Sequence, residues 1–279
     1  MSTHNDWIKH NLNERRNNPA ASFRVELNPY YYKEMAFHDA ADYTAKLISS
    51  KHDKLYLAFS GGADSDYVLH CFQRCNLPIN VIIVKTSGND EELSYAYKSC
   101  EKFGIDPIIL ELSDKEYLNI YYEDVIKKIF GYGIYSVPSI AACRYAKENN
   151  GVLIIGEHMI EGQKPDETGV VRMRPAFNEW DFYNEFLVGN EWNIPFFNYT
   201  LELACAMIAS ITEEQIDVFK AKLYGIEHRP IIDYKFSDEF MKVKTAIDLS
   251  KMRTANPYSG MGSKNQFLSI MNKWKIEVN

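Results

Sequence analysis

No stretch of this 279-residue chain approaches the ~20 consecutive apolar residues that a membrane-spanning helix requires. The opening residues, MSTHNDWIKHNLNERRNN, contain no apolar core of the kind a secretory signal needs, so export is not expected. Cysteine is scarce. The five residues Cys71, Cys75, Cys100, Cys143 and Cys205 are odd in number and form no C-x-x-C pair. Cys71 and Cys75 stand one helical turn apart, a spacing that suits neither a zinc knuckle nor an unstrained disulfide. The expectation is reduced, mostly buried thiols in a cytoplasmic protein. Positive charge is not in excess either: 31 Lys and Arg against 38 Asp and Glu leave a net charge of −7. That disfavours RNA or another large nucleic acid as partner, although a local basic groove fits within an acidic total.

Apolar residues make up 46% of the chain, enough for a proper core. The length allows one large domain or two small ones. Tyrosine (19) and phenylalanine (15) are plentiful, and much of this aromatic content lies outside the region described next. Core and interface packing is its first use; contact with a partner or a flat ligand is the second.

The chain is organised around Leu55 to Leu69, LYLAFSGGADSDYVL. The apolar run Leu55–Phe59 reads as a buried strand, and a segment of helical spacing opens at Asp66, with Val68, Leu69 and Phe72 on one face. Between them lie Ser60, Gly61, Gly62, Ala63, Asp64 and Ser65. The two glycines allow backbone geometry closed to other residues and let the main chain approach a ligand. The N–H groups of such a loop face outward from a helix N-terminus, where an anion is favoured. Ser60 and Ser65 add hydroxyl donors, and Asp64 supplies a carboxylate suited to magnesium on phosphate. The stretch reads as a phosphate cradle. It has neither the Gly-Lys-Ser/Thr of a Walker loop nor the dinucleotide G-x-G-x-x-G.

Further along, 79–85 (INVIIVK) and 152–155 read as buried strands, and 106–112 (DPIILEL) as a further strand between them. They are separated by helical patterns starting near Asp90 and covering 117–131 and 136–149, with Pro138 in a first turn. This rhythm argues an α/β fold with a doubly wound parallel sheet. A helix is expected over 29–50, a helix-like piece over 6–16, and an extended arm over 22–28. From Gln163 to Tyr199 no regular pattern is expected, beyond a short extended run placing Arg172 and Arg174 on one face. Guanidinium forks suit phosphate or carboxylate; ion pairing with Asp166 or Glu167 is the plainer use. Helices follow at 200–210, capped by Thr200, and at 213–224 and 238–249. Finally, 256–264 (NPYSGMGSK) precedes a helical pattern at 266–275. It is either a turn or a second anion site, with Lys264 as the residue to test.

Ser-Gly-Gly-x-Asp-Ser directly after a strand resembles the signature loop of the N-type ATP pyrophosphatases. That superfamily includes asparagine synthetase, NAD synthetase, argininosuccinate synthetase and the tRNA thiolases. The resemblance implies the adenine nucleotide alpha-hydrolase-like (HUP) fold with a helical C-terminal layer. The resemblance covers a PP-loop domain over 35–225; an arm over 1–34 and a helical extension over 226–279 flank it and match no named family. It implies ATP and Mg2+, with adenine and ribose held at the end of the second strand by Val84, Lys85 and Thr86. In asparagine synthetase a Gly-Glu-Gly-Ala-Asp-Glu stretch holds magnesium and pyrophosphate after a later strand. Here Gly156, Glu157 and Glu161 match it, while Ile160 takes the place of the aspartate and His158 that of the second glycine. The implied metal ligands are therefore Asp64, Glu157 and Glu161. Lys85, Arg172, Arg174 and Lys264 are candidate cations for the α-phosphate.

The implied chemistry is cleavage of ATP to AMP and pyrophosphate, with a small-molecule carbonyl activated for amide or amidine formation. Ser2 stands where glutamine-using asparagine synthetases carry a cysteine nucleophile, so the nitrogen source is expected to be ammonia, an amine or a separate donor protein. The paired cysteines of iron–sulfur tRNA thiolases and the four-cysteine zinc site of the deazaguanine nitrile synthase have no counterpart. Base or tRNA modification, with Cys143 as sulfur carrier, remains a second reading; a nucleotide-binding module without catalysis is a third. A homo-oligomer stays open.

Overall fold

The computed structural model describes residues 7–11, 14, 24–126, 136–156, 160–162, 173–178, 193–212, 216–227, 229, 234–250, 258–260, 272 and 275–276. Its centre is a five-stranded, wholly parallel sheet. In chain order the sheet and its helices are β4 (Leu55–Ala58), α2 (Ala63–Arg74), β5 (Asn80–Lys85), α3 (Asp90–Phe103), β6 (Ile108–Glu111), α4 (Asp114–Ile120), α5 (Val137–Glu148), β7 (Val152–Ile155) and β10 (Asn193–Pro195). Spatially the order is β10-β7-β4-β5-β6. The chain thus winds outward from β4 through β5 to β6, then returns to add β7 and β10 on the other side. The reversal lies between β4 and β7, and a crevice opens at the carboxyl ends of strands at such a switch point.

Alternate strand residues feed two cores, as a period of two demands. Leu55, Leu57, Val81, Ile83 and Ile154 pack with Val68, Leu69 and Phe72 of α2 on one face. Tyr56, Ile82, Val84, Leu153 and Ile155 pack with Ala142, Cys143 and Ala146 of α5 on the other. Burial on both faces is why these strands read as unbroken apolar runs. Helix α4 starts with a capping box between Ser113 and Glu116.

A second helical layer covers the first face. It comprises α1 (Phe37–Ser49), α6 (Leu201–Ala209) and α7 (Ile216–Tyr224). Thr200 caps α6 by accepting the Leu203 N–H, as expected. Aromatic rings join the layer to α2: Tyr67 stacks on Tyr224 with centroids 4.5 Å apart, and both stack with Phe37 and Phe197. Helix α8 (Asp238–Ser250) lies against α4, with Phe240 buried beside Tyr117.

Several elements differ from the sequence expectations. Helix α2 opens at Ala63 rather than Asp66, because the Asp66 N–H already donates to the Gly62 carbonyl at 3.0 Å. The helix expected over 29–50 starts at Phe37, since β3 (Tyr32–Lys33) pairs in parallel with β12 (Lys275–Ile276). The same pairing makes Lys275 part of a strand and not a helix end. β1 (Ile8–His10) pairs antiparallel with β2 (Val25–Leu27), so cross-strand bonding replaces a helix there. After α4 the chain widens into a π-helical turn, Tyr121–Ile126, in which Asp124 is buried against Arg144 of α5. Within the segment read as patternless, β10 supplies the fifth sheet strand. β8 (Ile160–Gly162) pairs antiparallel with β9 (Met173–Asn178), which in turn pairs with β11 (Tyr258–Gly260). Three-residue strands carry too little alternation to be read locally.

Phe72 is fully buried between α2 and the sheet, its ring 6.4 Å from that of Phe196. Phe72→Ala is expected to cost about 3–5 kcal/mol, read as a lower urea midpoint with little change in slope.

Candidate nucleotide site

The loop leaving β4 stays tied to the sheet through Phe59, whose N–H donates to the Ile82 carbonyl at 2.9 Å. Gly61 then takes φ +90°, and a Cβ there would lie 2.6 Å from Ala96 N and 2.7 Å from the Glu92 carbonyl oxygen. Both the dihedral and the contact demand glycine. Gly62 is the N-cap of α2 in extended backbone and has no side chain to close over the helix start. The first-turn N–H groups therefore have no intrahelical acceptor and face the crevice. Ser60 and Ser65 knit the loop: the Gly62 N–H donates to Ser60 Oγ at 3.1 Å, and the Ser65 hydroxyl donates to the Gly62 carbonyl at 3.2 Å. From the far side, β7 ends at Gly156, whose missing Cβ would lie 2.9 Å from Ser65 N and 3.0 Å from the Asp64 carbonyl carbon. The two strands that flank the switch point thus meet at the N-terminus of α2.

Asp64 points toward the helical layer. Lys220 Nζ donates to Oδ2 at 2.6 Å and the Tyr224 hydroxyl donates to Oδ1 at 2.6 Å, both from α7. Burial, with Asp64 adding to it, holds the Tyr224 hydroxyl well above its ordinary pKa, so it stays protonated and donates. Asp66 is almost wholly buried and takes a hydrogen bond from Arg229 Nη2 at 3.0 Å. The same guanidinium bonds the Gly61 carbonyl and reaches Ser99 Oγ at 3.1 Å, fastening loop, α2 and α3 together. A cavity of about 300 Å³ lies among these groups, lined by Gly61, Gly62, Ala63, Asp64, Glu92, Tyr95, Ile216, Asp217, Lys220 and Arg229. An anion entering it meets the start of α2 and the cationic side chains of Lys220 and Arg229, each paired with an aspartate.

The structure brings Ser60 to Ser65 and Gly156 together. Val84, Lys85 and Thr86 stand at the carboxyl end of the neighbouring strand, where Asn89 holds the turn by accepting from Thr86 N and donating to the Val84 carbonyl. Lys85 is turned to Glu111 of β6, 3.2 Å away, and does not line the cavity. Glu161 lies on β8 opposite Arg174 on β9, a placement of their backbones. Glu157, Arg172 and Lys264 fall outside the described residues. No group of three His, Cys, Asp or Glu side chains suited to a metal occurs among the described residues.

Sequence reasoning passed over Glu92, Tyr95, Asp217, Lys220, Tyr224 and Arg229. One signal was present: Asp217, Lys220 and Tyr224 recur at helical spacing on one face of α7, a polar stripe on a helix that otherwise packs inward.

The family model for asparagine synthase matches residues 51–158, which run from just before β4 to just past β7. This segment is a PP-loop unit of the asparagine synthase kind. No curated protein sequence matches the chain. Among solved structures, the NH3-dependent NAD synthetase of Campylobacter jejuni is 16% identical at TM-score 0.36, covering 86% of this chain and 94% of that one. The NMN synthetase of Francisella tularensis is 11% identical at TM-score 0.40, covering 88% and 99%. The glutamine-dependent NAD+ synthetase of Acinetobacter baumannii, solved with ADP, is 11% identical at TM-score 0.34. Against it, 48% of this chain is covered and only 28% of that longer chain is spanned. Among the described residues no helix is long and apolar enough to cross a membrane.

In the PP-loop unit, Gly156→Ala is expected to push the start of α2 off its position, because the clashing atoms are backbone. ATP binding should drop at least tenfold by calorimetry, with the far-ultraviolet circular dichroism unchanged. A second expectation concerns Glu92, whose carboxyl is raised from 4.5 to about 7 by burial, against hydrogen bonds from Tyr234 and Ser60 that lower it. The folded state therefore holds this proton more tightly than the unfolded chain. Its stabilising share is complete below pH 4.5 and is lost as pH rises through about 7. Glu92→Gln should then raise stability at pH 8 by up to roughly 3 kcal/mol, and hardly at all at pH 4.5, in thermal melts at the two values.

Proposed function

We propose that this chain is an ATP-dependent adenylating ligase. It cleaves ATP to AMP and pyrophosphate and activates a small-molecule carbonyl for amide or amidine formation. The observation that carries the reading is the single cavity in which the open N-terminus of α2, Asp64, Lys220 and Arg229 converge. The asparagine synthase match over the same loop supports it.

In this reading the N–H groups around Gly62 and Ala63 hold the β,γ-phosphates, and Lys220 neutralises charge gathering on the leaving pyrophosphate. Placement and electrostatics do most of the work in such a transfer. Arg229 holds the loop in shape through Gly61 and Asp66. Asp64 fits a magnesium ion as one carboxylate ligand. Its side chain is 23% exposed at the cavity, and an ionised carboxylate is the hard oxygen donor that magnesium takes. Magnesium, when bound, neutralises phosphate charge, and Glu157 and Glu161 complete its proposed ligands. Val84 and Thr86 keep their proposed place beside the adenosine. Lys85, Arg172, Arg174 and Lys264 are the proposed reserve of cations for the α-phosphate. The proposed catalytic domain is 35–225, with 1–34 and 226–279 as extensions; Arg229 makes the second extension part of the site. The nitrogen donor is ammonia, an amine or a separate protein, and the setting is cytoplasmic.

The test is product analysis of ATP and magnesium incubated with fractionated cell extract. Wild type should release AMP and pyrophosphate, and Asp64→Asn and Lys220→Ala should each slow this at least a hundredfold. ADP and phosphate as products would overturn the reading. ATP bound but unchanged across all fractions would favour a nucleotide-binding module.

A further inference from the structure

Glu92 sits in the first turn of α3, and the mechanism above makes no use of its side chain. The side chain lines the cavity opposite Gly61, Gly62 and Ala63. Oε1 stands 3.9 Å from the point that a Cβ on Gly62 would occupy, so the carboxyl looks onto the residue that opens the cradle. Oε2 is shut off from solvent and has no hydrogen-bond partner among the described residues. An ionised carboxylate there leaves a charged oxygen bare, which costs far more than leaving a neutral acid bare. Neither cation lining the cavity is paired with Glu92: Lys220 lies on Asp64 at 2.6 Å, and Arg229 on Asp66 at 3.0 Å and Ser99 at 3.1 Å.

We propose that Glu92 is a phosphate ligand of the PP loop, its carboxyl group donating a hydrogen bond to an oxygen of the polyphosphate seated against Gly62. The proposal rests on the reading that this loop holds the phosphates of ATP. A carboxylate facing a phosphate would repel it, whereas a carboxylic acid is a donor with no charge to oppose. Burial already shifts this group's titration to about pH 7. An anion bound opposite shifts it further, so phosphate and proton bind together. Above pH 7 the free protein loses the proton, and binding must restore it. Affinity for polyphosphate therefore falls as pH rises, by about tenfold between pH 6.5 and 8.

Other charged or titratable groups border the cavity: Asp64 from α2, Tyr95 from α3 itself, Asp217 and Lys220 from α7, and Arg229. Tyr234 and Ser60 hydrogen-bond the carboxyl. Glu92→Gln keeps all of them, so their pH dependence, and that of ATP's own phosphates, cancels between the two proteins.

The experiment is titration calorimetry with magnesium-free ATP, and separately with pyrophosphate, at pH 6.5 and pH 8. The proteins are wild type, Glu92→Gln, Glu92→Ala and Gly61→Val. Wild type should lose about tenfold more affinity than Glu92→Gln across this interval. Glu92→Gln, a neutral donor, should match wild type at pH 6.5 and exceed it at pH 8, and Glu92→Ala should be weaker than Glu92→Gln at both. Parallel weakening of wild type and Glu92→Gln, or equal binding by Glu92→Ala and Glu92→Gln, overturns the role of Glu92 alone. Gly61→Val cannot form the loop. If it binds ATP as wild type does, or if wild type binds neither ligand, the loop reading fails and the proposal falls with it.

Discussion

Everything at this site follows from how closely three pieces of main chain approach one another around the start of α2. The loop at Gly61 lies against the α3 backbone at Ala96 and Glu92, and the end of β7 at Gly156 lies against Asp64 and Ser65. A methyl group at either position would meet backbone atoms at 3.0 Å or less. Backbone cannot swing aside as a side chain can, so the contact excludes every residue but glycine. With hydrogen at both places, the α2 N-terminus is wedged between two neighbours at the edge of the cavity.

That opening is a concentration of positive potential, and acids and bases from distant parts of the chain are arranged around it. Asp64 carries a lysine and a tyrosine from α7, while Asp66 carries Arg229. Breaking one partner of such half-buried pairs leaves an uncompensated charge, which costs more than the pair itself contributes. The stack of Tyr67, Tyr224, Phe37 and Phe197 fixes α7 against α2 and so fixes the tyrosine and lysine on Asp64. The apolar layer thereby positions polar groups. Glu92 is the exception among these acids, for no cation among the described residues pairs with it and it is governed by burial instead.

The sheet was legible because its strands are covered on both faces. Unbroken apolar runs such as 81–84 and 152–155 can hardly be anything but central strands when glycines and helical patterns separate them. The loop was legible because Gly61 and Gly62 must sit between strand and helix for the turn to close. Where the reading erred, the element was held by partners far along the chain. Tyr32–Lys33 is a strand because Lys275–Ile276 lies beside it, and Asn193–Pro195 is a strand because β7 has a free edge. Helix α2 begins three residues before its helical spacing becomes readable for a more local reason: Ala63, Asp64 and Ser65 look like loop residues, yet glycine as N-cap lets them enter the first turn.

The amino-acid sequence by itself determined the parallel α/β core, the phosphate-cradling loop and its likeness to the PP-loop synthetases. Those depend on residues close together in the chain, where periodicity and glycine sterics act directly. Only the tertiary structure decided which side chains surround the loop. Lys220 and Tyr224 reach Asp64 across 156 and 160 positions, and Arg229 reaches Asp66 across 163. No local pattern encodes such partnerships. They arise when a helix with one polar stripe packs on an aromatic layer, and the layer's register then chooses the pairs.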